Sequence, residues 1–583
     1  MTVVSDVARK SLVECLVKRV LIAIVAIAAV MGFAAYLWLQ VEKAPASQVF
    51  LNAKVITMDA KRPRAEAVAV QGERIVAVGS RAEISPYIRD TTVVHDLQGK
   101  TLMPGFIDAH GHFPASGLSV FGLDLNSPPI GRVTSIEQLL DMLRARAAST
   151  SEGDWVFGYG YDDTLLAEKR HPTRRELDEV SSAHPIAIWH TSGHMLVANS
   201  KALALAGIDE TTPNPEGGVI VRDKETGALT GLLEEEARIP VLEMSMDLSV
   251  MQFLQMIKQA SADYVAKGVT VAQSGGLDSQ MLQGLWLAQK LNLTPLRLEL
   301  WPFYDSLGQE LLKGEKQAAD FESSKLHLGP VKITADGSIQ GFTGYLSAPY
   351  HTPFHGDETY RGYPTIPRKE LTRIVKRFHK AGFQLAIHGN GDASIDDIIH
   401  AFSEAQKAHY RADPRLIVVH AQMARDDQLA RMKALGMTPT FFSAHTYYWG
   451  DRHRDIFMGP ERAANMSPAR SAVKQGLRFS THLDTPVVPM DPLLAAWSVV
   501  NRQTSGGKVV GPHQRVGVEQ ALRAITIDAA WQIFRDHEIG SITPGKLADL
   551  VVLDKDPLSH GKTLRDIKVE QTLIGGVTVY TRQ

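Results

Sequence analysis

Leu102-Met103-Pro104-Gly105-Phe106-Ile107-Asp108-Ala109-His110-Gly111-His112 is the stretch whose reading decides the fold. An apolar, strand-like run leads into two histidines one residue apart. Side chains alternate along a strand with period 2, so His110 and His112 at a strand end point to the same side. Two imidazoles on one side can converge on one ion, and imidazole is the commonest side-chain ligand for metals such as zinc. Alone, the pair also fits two ordinary hydrogen-bonded histidines, and the rest of the chain has to decide.

Further along, short apolar runs alternate with amphipathic helical stretches, which predicts βα units and a parallel sheet. Candidate strands fall at 101–107, 269–273, 296–301, 330–333, 384–387, 416–419, 438–442 and 478–481. Eight is the number a (β/α)8 barrel requires. Roughly 160 residues separate the first two, far more than one crossover needs. An insertion subdomain is therefore expected over 115–248, with the barrel on 101–114 and 249–535. Strand-and-turn segments at both ends, such as Ala67-Val68-Ala69-Val70 and Asp549-Leu550-Val551-Val552-Leu553, predict a small β-sandwich domain composed of 48–100 and 536–583. The expected class is α/β, a TIM-like barrel with these two additions and one N-terminal transmembrane helix.

Barrel chemistry sits at the C-terminal ends of strands. Those ends carry His110 and His112, then Lys332 in Val331-Lys332-Ile333-Thr334-Ala335-Asp336-Gly337, His388, His420 and Asp484. Taken singly, each has a plainer reading: a strand-end histidine, a salt-bridged lysine, a turn aspartate before Thr485-Pro486. In strand order they form a set of nitrogen and oxygen donors. Cys15 is the one cysteine and precedes the barrel, so a metal there has no thiolate ligand.

These residues resemble the amidohydrolase superfamily of metal-dependent hydrolases. Pro104-Gly105-Phe106-Ile107-Asp108-Ala109-His110-Gly111-His112 is similar to its first-strand signature, and Gly540-Ser541-Ile542-Thr543-Pro544-Gly545-Lys546-Leu547-Ala548-Asp549-Leu550 to its return into the β domain. Within it, the branch containing N-substituted formamide deformylase is the one resembled, through Lys332 in its setting, His194-Met195-Leu196-Val197-Ala198-Asn199-Ser200 and Asp484-Thr485-Pro486-Val487. The resemblance spans residues 48–583. It implies that His110 and His112 bind a first metal, that carbamylated Lys332 bridges two Zn2+ ions, that His388 and His420 hold the second, and that Asp484 touches the first and is the general base. It implies hydrolysis of a non-peptide carbon–nitrogen bond, in an N-substituted formamide or N-acyl amine, by hydroxide generated on the metal. A cyclic amide, ester or lactone substrate, or a binding barrel without catalysis, stays open. His194, in the insertion expected to roof the mouth, is assigned to substrate.

Departures from the family pattern are also expected to matter little. Ser480-Thr481-His482-Leu483 stands where the family often has a compact Gly-Ser-Asp; His482 either perturbs Asp484 or faces outward, and the outward reading is preferred. The zinc-like spacings of His190 with His194 and of His351 with His355 are read as chance. Phe441, Phe442, Tyr447, Tyr448 and Trp449 either shape an apolar pocket or pack in the ordinary way.

Residues 20–40, VLIAIVAIAAVMGFAAYLWLQ, carry no charge and suit one bilayer span. Lys10, Lys18 and Arg19 precede it, which places 1–19 in the cytoplasm and the catalytic body outside it, periplasmic or extracytoplasmic. A cleaved signal peptide, giving a secreted protein, is the alternative. The partners expected are a small-molecule substrate and a membrane, with a homodimer left open. A net charge of −2 gives no field for nucleic acid.

Overall fold

In the computed structural model, which describes Met31 and residues 47–583, the run 101–107 is two strands and not one. Thr101–Pro104 pairs with Lys54–Ile56 and Leu550–Leu553 inside the terminal β domain. Phe106–Ile107 pairs in parallel with Val269–Leu277 and opens the barrel. Gly105 lies at the crossing between sheets: a Cβ there would lie 2.3 Å from Thr270 Cγ2. The apolar run is continuous in sequence because both strands are buried, so its pattern does not mark the break.

The β domain stacks two sheets drawn from both ends of the described chain. One has the spatial order Arg74–Gly79, Ala67–Gln71, Ser47–Leu51, Val93–Asp96. The other runs Val577–Thr581, Val569–Ile574, Leu550–Leu553, Thr101–Pro104, Lys54–Ile56, Arg64–Ala65. Period-2 alternation puts Val68 and Val70 in a core with Phe50, Leu102, Leu550 and Leu573, while Ala67 and Ala69 pack on the other face beside Ile84.

The barrel strands are Phe106–Ile107, Val269–Leu277, Arg297–Pro302, Val331–Thr334, Leu385–Gly389, Leu416–His420, Met437–Phe441 and Ser480–Thr481. They form two parallel arcs, with an additional strand, Leu326–Leu328, beside the third. Phe303 bridges to Lys332 at one seam. At the other, Asp484 N donates to His110 O (3.2 Å) and His112 N to Thr485 O (2.8 Å). Closure of the barrel thus brings the first and last ligand candidates side by side. Trp301, Ala386, Ile417 and Val419 cluster together, and Ile333, Ile387 and Val418 join the large core that includes the surrounding helices.

A buried ion pair ties the barrel to the β domain. Arg297 Nε and Nη2 donate to the two oxygens of Asp549 at 2.7 and 2.9 Å. Removing one partner of such a pair leaves an uncompensated buried charge, so Asp549→Ala is expected to lose about 3–5 kcal/mol. A lowered denaturant midpoint for the variant checks this; an unchanged midpoint contradicts it.

The insertion forms a six-stranded sheet in the order Gly218–Arg222, Leu229–Glu235, Met195–Ala198, Ile186–His190, Val156–Tyr161, Leu123–Asp124. Helix Ile136–Ala147 is capped by Ser135 and buries Leu139, Leu140 and Leu143. Asp162 fastens the insertion to the loop after strand seven, accepting from Arg452 Nη1 (2.6 Å) and Trp449 Nε1 (3.0 Å). Among the described residues no helix is long and apolar enough to cross a membrane. The span expected at 20–40 lies outside the described residues, apart from Met31.

Candidate metal centre

The structure brings His110, His112, Lys332, His388, His420 and Asp484 into one cluster, buried except for the partly exposed His112. His110 Nε2 lies 3.0 Å from Lys332 Nζ and 3.4 Å from Asp484 Oδ1. His112 Nε2 is 3.1 Å from the same oxygen, while Asp484 Oδ2 is 3.9 Å from His420 Nε2. His388 Nδ1 and His420 Nε2 face each other at 3.2 Å. One carboxylate therefore stands between two groups of imidazoles.

Backbone conformation matters as much as strand position. His388 keeps the parity of Ala386. His420 has the parity of Leu416 and Val418, and simple alternation would turn it away from the mouth. Its φ of 68°, followed by 43° at Ala421, ends the alternation and allows the ring to meet His388. Asp484 is also left-handed, with φ of 57°. Such conformations cost energy in non-glycine residues and concentrate at functional sites.

Neighbouring acceptors decide which ring nitrogens are bare. Gln273 Oε1 accepts from Gly111 N (2.6 Å) and lies 3.0 Å from His110 Nδ1. The proton of His110 is thereby placed on Nδ1, and Nε2 is left with its lone pair. Trp301 stacks beneath the ring at 5.2 Å, and a Cβ on Gly275 would lie 2.5 Å from its Cε1. At His388, Nε2 lies 3.2 Å from the carbonyl oxygen of Gly337 and 3.0 Å from Asn390 Nδ2, while Nδ1 faces His420. Asp336 holds the following loop by accepting from the main-chain N–H groups of Asn390, Gly391 and Tyr345.

Burial drives the pKa values of His110, His388 and His420 well below the ordinary range, so the rings are neutral donors. At Asp484 burial works upward, but the imidazoles of His112, His420 and His110 that face it outweigh it and hold the carboxyl well below the usual range. Burial also lowers Lys332 to about 8, against a smaller opposite pull from Asp484.

The donor set fits divalent metal. His110, His112 and Asp484 offer ligand atoms within 4.8 Å of one another. The separations of 3.1–3.4 Å to Asp484 Oδ1 and of 3.2 Å between His388 and His420 match the edge of a tetrahedron with bonds of about 2.0–2.1 Å. Asp484 Oδ1 is buried and receives no well-directed hydrogen bond, as suits an oxygen reserved for a cation.

Other candidates separate. His194 does not pair with His190; its Nδ1 is 2.7 Å from Glu235 Oε2 and its ring stands against His388 at 5.1 Å, placing the insertion at the mouth. His190 instead bonds Asp163 (3.0 Å) and Ser192 (2.8 Å). Asp162, Asp163 and His190 lie close enough to share an ion, but Arg452 already supplies the cation at Asp162. His351 sits against Gly459, whereas His355 stacks on Phe354. Of the aromatics, Phe442 lies near His420 and His482, while Trp449 serves the Asp162 contact. The outward reading of His482 is wrong: it is buried and its Nε2 lies 3.0 Å from His420 Nδ1. Gln273, Trp301 and Asp336 were not singled out by sequence reasoning. Their usable signal is a polar or aromatic residue at or just beyond a barrel-strand end.

Residues 93–580 match the Amidohydrolase family. The chain belongs to that family. It is 31% identical to N-substituted formamide deformylase of Arthrobacter pascens over 547 residues, covering 92% of this chain and 98% of that protein. Its fold is similar to an uncharacterized metal-dependent hydrolase from Pyrococcus horikoshii OT3, with TM-score 0.70, 24% identity and coverage of 88% and 99%. A metal-dependent hydrolase from Pyrococcus furiosus gives TM-score 0.68 at 24% identity, covering 88% and 100%. This amidohydrolase is thus a hydrolase of carbon–nitrogen bonds.

Proposed function

We propose that this amidohydrolase holds two divalent ions, with zinc the best match to the donors, and cleaves N-formyl or N-acyl amines that carry an apolar substituent. The observation that carries the reading is the convergence of His110, His112, His388, His420, Lys332 and Asp484 on one point. The substrate class draws support from the 31% identity to N-substituted formamide deformylase.

Four imidazoles and one carboxylate would leave two divalent charges poorly balanced. Lys332 corrects this as a carbamate, an anion that can offer one oxygen to each position. With a pKa of about 8, about a tenth of its amine is neutral and reactive toward carbon dioxide at pH 7, against below a thousandth for an ordinary lysine. Metal held by these residues would acidify a water and polarise the substrate carbonyl. Asp484 takes the proton of the attacking water and returns it to the departing nitrogen. Water adds to the carbonyl carbon, the C–N bond breaks, and a carboxylic acid and an amine leave. His194, oriented by Glu235, positions the substrate at the mouth.

Segment 20–40 is proposed as an uncleaved membrane anchor with the enzyme body outside the cytoplasm; its length, lack of charge and the preceding Lys10, Lys18 and Arg19 support this. The functional test is a hydrolysis screen of the full chain over N-benzylformamide and N-acyl amines, with hydantoins, lactones and esters alongside. Preferential release of amine from the first group is expected. Turnover confined to hydantoins or lactones would overturn the substrate class while leaving the metal site standing.

A further inference from the structure

A file of buried polar side chains runs behind His420. His420 Nδ1 lies 3.0 Å from His482 Nε2, and His482 Nδ1 lies 2.9 Å from Thr440 Oγ1. Thr440 Oγ1 is 2.7 Å from Ser480 Oγ, which bonds Gln532 Oε1. Gln532 Nε2 ends the file on the carbonyl oxygen of Pro439 (2.8 Å) and on Thr438 Oγ1 (2.7 Å). His420, Thr440, Ser480, His482 and Gln532 are at most 2% exposed, so water does not substitute for these bonds.

The far end of the file sets its direction. A carbonyl can only accept, so the nitrogen of Gln532 faces Pro439 and its oxygen faces Ser480. Ser480 has one proton and gives it to that oxygen. Thr440 then donates to Ser480 and accepts from His482 Nδ1–H. His482 Nε2 is left bare and accepts from His420 Nδ1–H. It follows that His420 Nε2, the atom facing His388 and Asp484, carries a lone pair. Reversing Thr440 would leave two hydroxyl oxygens 2.7 Å apart with no proton between them.

We propose that His482 is a positioning residue: through Thr440, Ser480 and Gln532 it fixes the tautomer and orientation of His420, and so sets the affinity of the metal position formed by His388 and His420. This rests on the two-metal reading above. The His110–His112 position has its own determinant in Gln273 and should not depend on His482. The residue also explains why this chain departs from a compact Gly-Ser-Asp before Asp484: glycine or serine there has no ring nitrogen to reach His420.

The test is a zinc titration of the full-length apoprotein against a chromophoric chelator, in wild type, His482→Phe and His482→Gln. Phenylalanine keeps the ring that packs on His110 at 5.3 Å but removes the acceptor. The wild type should take up two ions. His482→Phe should keep the first affinity and weaken the second by about 10–100-fold, the usual effect of losing a partner that orients a ligand. His482→Gln, which offers an acceptor oxygen, should recover most of the second affinity. Cobalt substitution provides a spectroscopic check, with the spectrum of the second equivalent changed only in His482→Phe. Two ions bound by His482→Phe as tightly as by wild type overturn the proposal, as does equal weakening in both variants or equal loss at both positions. A wild type that binds fewer than two ions overturns the two-metal reading and this inference together.

Discussion

Asp484→Asn is expected to fold, retain most of its metal and turn over about a thousandfold more slowly, within the 10²–10⁴ typical of a lost acid–base group. Asparagine preserves the shape and one ligand oxygen. It removes the negative charge and the ability to accept a proton, while its neighbours His110, His112 and His420 remain 3.1–3.9 Å away. The loss should therefore appear in kcat much more than in KM. Steady-state kinetics beside elemental analysis of the same preparation check this. A variant with more than about a tenth of wild-type turnover would remove the general-base role.

Lys332→Met is expected to lose more, because it removes the bridging anion that both ions share. Methionine nearly fills the volume of lysine in this buried position, so the loss is not one of packing. Metal content should fall well below that of wild type, and activity by about a thousandfold or more, since metal polarisation is worth several kcal/mol. Carbon dioxide gives a second check. Apoprotein should take up metal faster with bicarbonate than in carbon-dioxide-free buffer, and Lys332→Met should show no difference. Full metal content in that variant would contradict the bridging role.

The sequence motifs reveal the barrel and its ligands because metal donors at strand ends leave a strong signal in order. His110-x-His112 names two of them, and Lys332, His388, His420 and Asp484 follow at later ends. What the motifs do not reveal lies in the backbone and in the orienting partners. Period 2 extended along Leu416–His420 would turn the last ring outward; the left-handed backbone at His420 and Ala421 reverses that. The split of 101–107 is hidden because both strands are buried and the sheets change at Gly105. His482 reads as an ordinary histidine in a short segment, since its partners His420 and Thr440 come from other elements and only the closed barrel joins them.

The insertion shows the same limit from the other side. His194 sits in a recognisable stretch, but its contact with His388 requires the sheet Leu123–Glu235 to lie over the mouth, held there by Asp162 against Arg452 and Trp449. The zinc-like spacing of His190 with His194 is the chance spacing it reads as. The structure gives each its own carboxylate, Asp163 and Glu235, because alternation and the intervening turn send the two rings apart.

We propose that six side chains from five barrel strands build one two-metal site. Elemental analysis of the full chain after metal-replete expression tests it most directly. The account predicts about two equivalents of divalent metal per chain, zinc foremost, as four imidazoles, one carboxylate and a bridging carbamate would hold. Metal-free protein, with His110, His112, His388, His420, Lys332 and Asp484 all intact, would contradict it.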